Sequence, residues 1–250
     1  GDADNILNKG CSRDHYGETV PVCYYGTKGG TRIVLLGDSH ALHWMPALDA
    51  IGKAYNYEII PIAKVNCAFM DVKLYAARLG KSYTSCTKWR ANVVTKIAQL
   101  NPALVILAHT WYREEGKPNE IRPQYYADAT GRMLDKIPFP TLIFSDTPFG
   151  QNNIPTCLAR NRSNVAKCVV TRSAAYGNRG HARDLLVAEQ RNLPIFDFTA
   201  ALCPGTKCAP IIDGRVVFHD HHHLTTTMAK YLATPLGAAL SQVIANLPPR

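Results

Sequence analysis

The 250-residue chain lacks any run of the roughly 18 consecutive apolar residues that a membrane span needs, and its longest apolar patches are strand-sized. It also lacks a block of about five or more like charges. The 28 Lys plus Arg against 19 Asp plus Glu, a formal +9, are therefore scattered, which suits anionic or polyol-rich surroundings and gives no nucleic-acid tail. No nucleic-acid partner is expected. There is no Gly-x-Gly-x-x-Gly and no Walker motif, so no nucleotide cofactor is expected either. Internal repeats and low-complexity tracts are absent, and 46% hydrophobic with 19% charged residues excludes disordered and fibrous classes. The length fits one sizeable core better than two full domains. Behind Gly1 there is neither a charged n-region nor an apolar h-region.

Cysteine is not scarce. Eight are present: Cys11, Cys23, Cys67, Cys86, Cys157, Cys168, Cys203 and Cys208. No Cys-x-x-Cys occurs among them, which weakens a zinc site as the rival reading, and no metal is expected. Just over a hundred pairings are open to eight cysteines. Read as successive neighbours, they pair as Cys11–Cys23, Cys67–Cys86, Cys157–Cys168 and Cys203–Cys208, each closing a short loop between elements. Disulfides imply an oxidising, extracytoplasmic compartment. With no signal peptide, the expectation is a piece of a longer exported or membrane-anchored protein.

Apolar runs alternate with helix-period segments. Strands are expected at Thr31–Leu36, Glu58–Ala63, Leu104–Ala108, Thr141–Asp146 and Pro194–Asp197. Pro61 places the second near an edge or an irregularity. Helices are expected at Ala41–Tyr55, Cys86–Leu100, Gln124–Lys136, Gly180–Arg191 and about Thr225–Asn246, the last kinked at Pro235. Strand-helix alternation at this spacing indicates parallel β-α-β units in a three-layer α/β/α sandwich. Residues 1–30 read as a disulfide-tied N-terminal extension packed on a domain of residues 31–250. Residues 147–179 form a long connection rich in Asn, Arg and Ser, of the kind that carries function.

In an open parallel sheet, ligands bind beyond the carboxyl ends of the strands. The first strand ends in Gly37-Asp38-Ser39-His40, which puts Ser39 at a sharp turn into a helix, beside backbone N–H groups that could hold an oxyanion. Alternatively Ser39 only caps that helix. The motif is not a Gly-x-Ser-x-Gly elbow. Near the other end, Phe218-His219-Asp220-His221-His222-His223-Leu224-Thr225 precedes the final helix. There Asp220 could orient His223, which could take a proton from Ser39. A solvated loop, or metal binding by His219, His221, His222 and His223, are the alternatives.

Together, Gly-Asp-Ser-His and Asp220-His221-His222-His223-Leu224-Thr225 resemble the SGNH (GDSL-like) hydrolase superfamily. Within it, the chain looks most like the SGNH domains fused to acyltransferase-3 membrane proteins. The Cys203-Pro204-Gly205-Thr206-Lys207-Cys208 loop, the Val105–Ala108 strand followed by Trp111, and Cys67 and Cys86 ahead of Trp89 add to the likeness, which spans about residues 20–240. The resemblance implies a mostly parallel, flavodoxin-like five-stranded sheet and a Ser39–His223–Asp220 triad. It implies as partners a fused acyltransferase-3 membrane domain that delivers the acyl donor and a glycan or glycolipid acceptor, and it places the domain on the periplasmic or cell-envelope side, tethered to the membrane. Two features depart from the superfamily: Lys64-Val65-Asn66-Cys67 has no glycine, and His109-Thr110-Trp111 follows the third strand without Gly-x-Asn-Asp. Oxyanion donors beyond the Ser39 N–H are then candidates only, namely Asn66 and His109. Trp111 and Tyr112 are candidates for a sugar-stacking wall or for ordinary packing.

The expected function is O-acyl transfer, in particular O-acetyl transfer, through an acyl-serine to a cell-envelope glycan. A glycan O-acetylesterase of the same fold and a catalytically silent glycan-binding module are the alternatives.

Overall fold

The computed structural model describes residues 2–3, 10–111, 114–116, 122–177 and 180–248. Tyr112 and residues 1 and 4–9 of the lead-in lie outside them. The central strands are β1 (Tyr25–Gly26), β2 (Thr31–Gly37), β3 (Tyr57–Ala63), β4 (Leu104–Ala108), β5 (Thr141–Phe144) and β6 (Ile195–Phe196), in the spatial order β1-β3-β2-β4-β5-β6. β2 through β6 are parallel, and their order is the flavodoxin-like one, in which the first strand lies between the second and the third. The five expected strands are these five. The sheet gains a sixth because Tyr25–Gly26, in the lead-in, pairs antiparallel with Ile59 and Glu58. Two residues are too few to leave a periodic signal. Beyond that short strand the outer edge of β3 is open to other partners, and Pro61, which has no N–H to donate, sits there.

Each strand alternates its side chains between two apolar cores. Ile33, Leu35, Ile59, Leu104 and Ile106 face one core, Val34, Leu36, Ile60, Val105 and Leu107 the other. The first is covered by α2 (Met45–Tyr55), α7 (Thr226–Tyr231) and α8 (Ala233–Ala245), through Leu48, Ile51, Met228, Leu236 and Leu240. The second is covered by α3 (Thr84–Leu100), α4 (Pro123–Leu134) and α6 (Gly180–Arg191), through Trp89, Val93, Ile97, Met133 and Val187. Burial of both faces explains why the strands read as continuous apolar runs.

Two expected helices are divided. The first is split into α1 (Ser39–Leu42) and α2, because Pro46 opens α2 at a position where its missing N–H is not needed. The last breaks at Leu232, which ends α7 and begins α8 one turn ahead of Pro235. All four successive-neighbour disulfides are present. In the long connection, Asn153 caps α5 (Ile154–Arg160), and the Cys157–Cys168 bond holds that helix to the turn at Val165–Cys168.

Candidate active site

Ser39 lies at the carboxyl edge of the sheet where β2 separates β3 from β4, the point at which the connections leave in opposite directions. The turn that carries it depends on Gly37: a Cβ there would fall 1.7 Å from the Ala108 carbonyl oxygen of the neighbouring strand. Asp38 then fixes the turn. It is fully buried, one carboxylate oxygen accepting from the His40 N–H at 2.7 Å and the other from the Thr110 N–H at 3.0 Å. The Ser39 N–H, first in α1, has no acceptor among the described residues.

The second segment arrives as a tight loop. Phe218 and Leu224 form a bridge, the His219 N–H donates to the His223 carbonyl at 3.0 Å, and Thr225 caps α7 through the Met228 N–H. Inside the loop, one Asp220 oxygen accepts from the His222 and His223 N–H groups, each at 2.8 Å. The other lies 2.6 Å from His223 Nδ1, and His223 Nε2 lies 2.8 Å from Ser39 Oγ. The long connection supports the loop from outside: the Gly150 N–H donates to the His221 carbonyl at 2.7 Å and the Ile154 N–H to the Asp220 carbonyl at 2.9 Å.

Charge follows from this packing. Burial opposes ionisation of Asp220, but the His223 ring and the two loop N–H groups outweigh it and hold the carboxyl far below the ordinary range. Burial pushes His223 down, and Asp220 only partly restores it, so the ring is neutral at neutral pH. Its Nδ1–H then donates to Asp220, and its Nε2 lone pair accepts from the Ser39 hydroxyl.

A second polar chain runs beside the first. His40 Nδ1 is 2.7 Å from Asp146 Oδ1, and His40 Nε2 is 2.7 Å from His222 Nδ1. Burial works against a charge on His40, yet Asp146, Asp38 and Asp220 together raise its pKa. His222 is pushed down to about 2, first by burial and then by the neighbouring His40 and His223. Asp146 is braced by the Thr110 hydroxyl at 2.8 Å and the Thr147 N–H at 3.0 Å. Arg183, fully buried, ties the ends of β4 and β5 together by donating to the His109 and Thr110 carbonyls and to Asp184, whose carboxylate accepts from the Asp146 N–H. Phe149 stacks on His222 with ring centroids 4.7 Å apart.

The remaining expected residues are engaged elsewhere. Asn66 is exposed and turns its amide to His15 Nε2 at 3.2 Å. His109 is buried, with Nδ1 accepting from the Phe69 N–H at 2.9 Å and Nε2 within 4.0 Å of Asp184. The Asn66 amide answers His15, whereas His109 Nε2 is buried with no hydrogen-bond partner among the described residues. Trp111 packs on the second core, edge-on to Tyr126 at 6.4 Å. Three groupings of possible metal ligands occur among the described residues, His40–His222–His223, His219–Asp220–His223 and Asp220–His221–His222, with ligand atoms within 4.8 Å of one another. Each contains His223 or Asp220, so a cation there would compete with the Ser39–His223–Asp220 hydrogen bonds. The sequence offered His222 only as a possible metal ligand and His40 only as part of its motif, and Asp146 and Arg183 were not anticipated. Asp146 left a signal as the polar residue ending an apolar strand.

Known proteins resemble the chain over most of its length. The family model described as SGNH domain (fused to AT3 domains) matches residues 10–237. Among solved structures, the chain is similar to the periplasmic domain of a lipopolysaccharide acetyltransferase from Salmonella ser. Paratyphi A, with TM-score 0.67, 18% identity, and coverage of 86% of this chain and 85% of that one. It is also similar to a putative acylhydrolase from Bacteroides fragilis, with TM-score 0.53, 13% identity, and coverage of 88% of this chain and 91% of that one. These likenesses establish a shared fold. No curated protein matches the chain.

Proposed function

The chain belongs to the family of SGNH domains fused to AT3 domains, and from that membership and the geometry above we propose that it is a serine-dependent O-acyltransferase domain, moving an acyl group, in particular acetyl, to a cell-envelope glycan or glycolipid. The observation that carries this reading is the continuous hydrogen-bonded series Ser39 Oγ–His223–Asp220, at 2.8 and 2.6 Å. Both distances lie within the reach a nucleophile and its base require, which favours an enzyme over a silent binding module.

Ser39 Oγ attacks the carbonyl carbon of the donor ester as its proton passes to His223 Nε2. The imidazolium is stabilised by Asp220, and the Ser39 N–H donates to the developing oxyanion. Collapse breaks the donor C–O bond, and the departing oxygen takes the proton from His223, leaving an acyl-serine. A glycan hydroxyl then attacks that ester, gives its proton to His223 Nε2, and Ser39 Oγ leaves and recovers it. Lewis-base strength at His223 and a fixed tautomer are what Asp220 supplies. The donor reaches the site from the fused AT3 membrane domain, and four disulfides suit the oxidising, extracytoplasmic side of that membrane.

Ser39→Ala is expected to abolish both labelling by a fluorophosphonate and turnover of p-nitrophenyl acetate while leaving the circular dichroism and melting curve unchanged. Retained turnover in that variant removes the triad. Partition of product between acylated glycan and free acid separates transfer from hydrolysis, the esterase reading being correct if water remains the acceptor at saturating glycan.

A further inference from the structure

A pocket of about 670 Å³ opens at the same end of the sheet, toward the β3 edge, between the lead-in and the turn at Ala77–Leu79. Its wall is built rather than incidental. Arg13 forms a parallel bridge with Lys64, and the lead-in exchanges main-chain hydrogen bonds with Ala63 and Val65. Lys64, wholly buried beneath, donates its ammonium to the Asp14 and Gly17 carbonyls at 2.6 and 2.7 Å. The neighbourhood is cationic. Arg13 and Arg78 line the pocket, with His15 beside them and the Lys64 ammonium close by, and Asp14 is the single carboxylate among the lining residues. Asp14 is already directed into its own turn, accepting from the Tyr16 and Gly17 N–H groups at 3.0 and 2.9 Å. Arg78 has no acidic partner among the described residues, while Glu18, the next nearest carboxylate in the lead-in, is paired with Lys88. Burial first, and then the charges of Arg78 and Lys64, lower the pKa of His15 against the opposing pull of Asp14. At the rim, the Tyr16 ring is 72% exposed, an apolar face with a polar tip of the kind that stacks on a sugar.

The pocket and Ser39 are joined by the sheet itself. The Lys64 N–H donates to the Gly37 carbonyl at 3.3 Å, and Ser39 follows Gly37 by two residues. Arg13 lies outside β3 and Gly37 inside it, so two strand spacings of about 4.8 Å, about 10 Å in all, separate the lead-in from β2, a span for a short oligosaccharide and not for one sugar. We propose that this pocket is a subsite for an acidic saccharide, holding its carboxylate or phosphate at Arg13 and Arg78 so that a hydroxyl further along the same saccharide meets the acyl group on Ser39. An arginine on an oxyanion supplies paired, charge-assisted hydrogen bonds, which a neutral sugar cannot accept at the same strength.

The identity of that saccharide as acceptor rests on the acyl-transfer reading, so binding is measured on Ser39→Ala protein, where turnover plays no part. Titration calorimetry against trigalacturonate, galactose 1-phosphate and neutral galactotriose is expected to give binding to one or both anionic sugars at least about tenfold tighter than to galactotriose. That preference falls as salt rises. Arg78→Gln weakens the anionic sugar by about tenfold and Arg78→Lys by less, without change in the melting temperature, since Arg78 is exposed. Carboxylate and phosphate are told apart by which anionic sugar binds. Equal affinity for charged and neutral sugars, or an Arg78→Gln protein that binds the anionic sugar as tightly as its parent, overturns the proposal whether or not Ser39 proves to be the nucleophile.

Discussion

At the scale of single residues, the site is a problem in where protons rest. His223 has its pKa lowered first by burial, with Asp220 pulling the other way and the His40 charge pushing it down further. A base is active when unprotonated, so the acid limb of kcat/KM is expected below the ordinary histidine value of about 6.5. A limb at or above that value contradicts the assignment of His223 as base. Removing the neighbouring charge should move the limb upward. His40→Gln alone would strand the buried Asp146 carboxylate, so the double variant His40→Gln/Asp146→Asn is the cleaner test, because it removes both charges together. A limb that stays in place or falls in that variant excludes His40 as an electrostatic neighbour of the base.

At the scale of elements, the strand-to-helix turn after β2 sets the position of Ser39, and it allows no side chain at residue 37. Gly37→Ala drives a methyl group against the Ala108 carbonyl and must separate β2 from β4 at their carboxyl ends. The expected cost is about 3 kcal/mol, read as a lower urea midpoint with an unchanged slope. An unaffected midpoint means the turn is looser than this packing implies. The histidine loop depends on a different element, the long connection, whose Gly150 and Ile154 N–H groups hold two of its carbonyls. α5 is in turn fastened by Cys157–Cys168, which makes that bond a positioning device for Asp220 as well as a cross-link.

At the scale of the molecule, two apolar cores and four disulfides share the work of stability. In the chain-entropy view each bond over a loop of this size contributes on the order of 3 kcal/mol, most of it by restricting the unfolded chain. Full reduction is therefore expected to lower Tm by more than about 10 °C, followed by near-ultraviolet circular dichroism with and without dithiothreitol. A shift under about 3 °C would mean that the cores alone account for the stability. The chain's +9 charge acts on the same scale. It attracts anionic polymers from a distance, while the pocket beside β3 determines where an anionic group comes to rest.

Much of this was legible without coordinates. Apolar runs at Thr31–Leu36 and Leu104–Ala108 read as strands, and pairing successive cysteines closed short loops between elements. Ser39, Asp220 and His223 were candidates because serine needs a base and a base needs an orienting carboxylate. Their meeting was decided in three dimensions, since residues 184 apart in sequence touch only if the sheet is wound in the observed order. The same holds for what was missed. Asp146 becomes a partner of His40 because β4 lies between β2 and β5, and the neighbours of Asn66 and His109, namely His15 and Phe69, are invisible in a linear reading. Local propensity and hydrophobic period are properties of neighbouring residues and survive in the sequence. Hydrogen-bond partners, buried charge and the shape of a pocket belong to distant segments brought together, and only the tertiary structure fixes them.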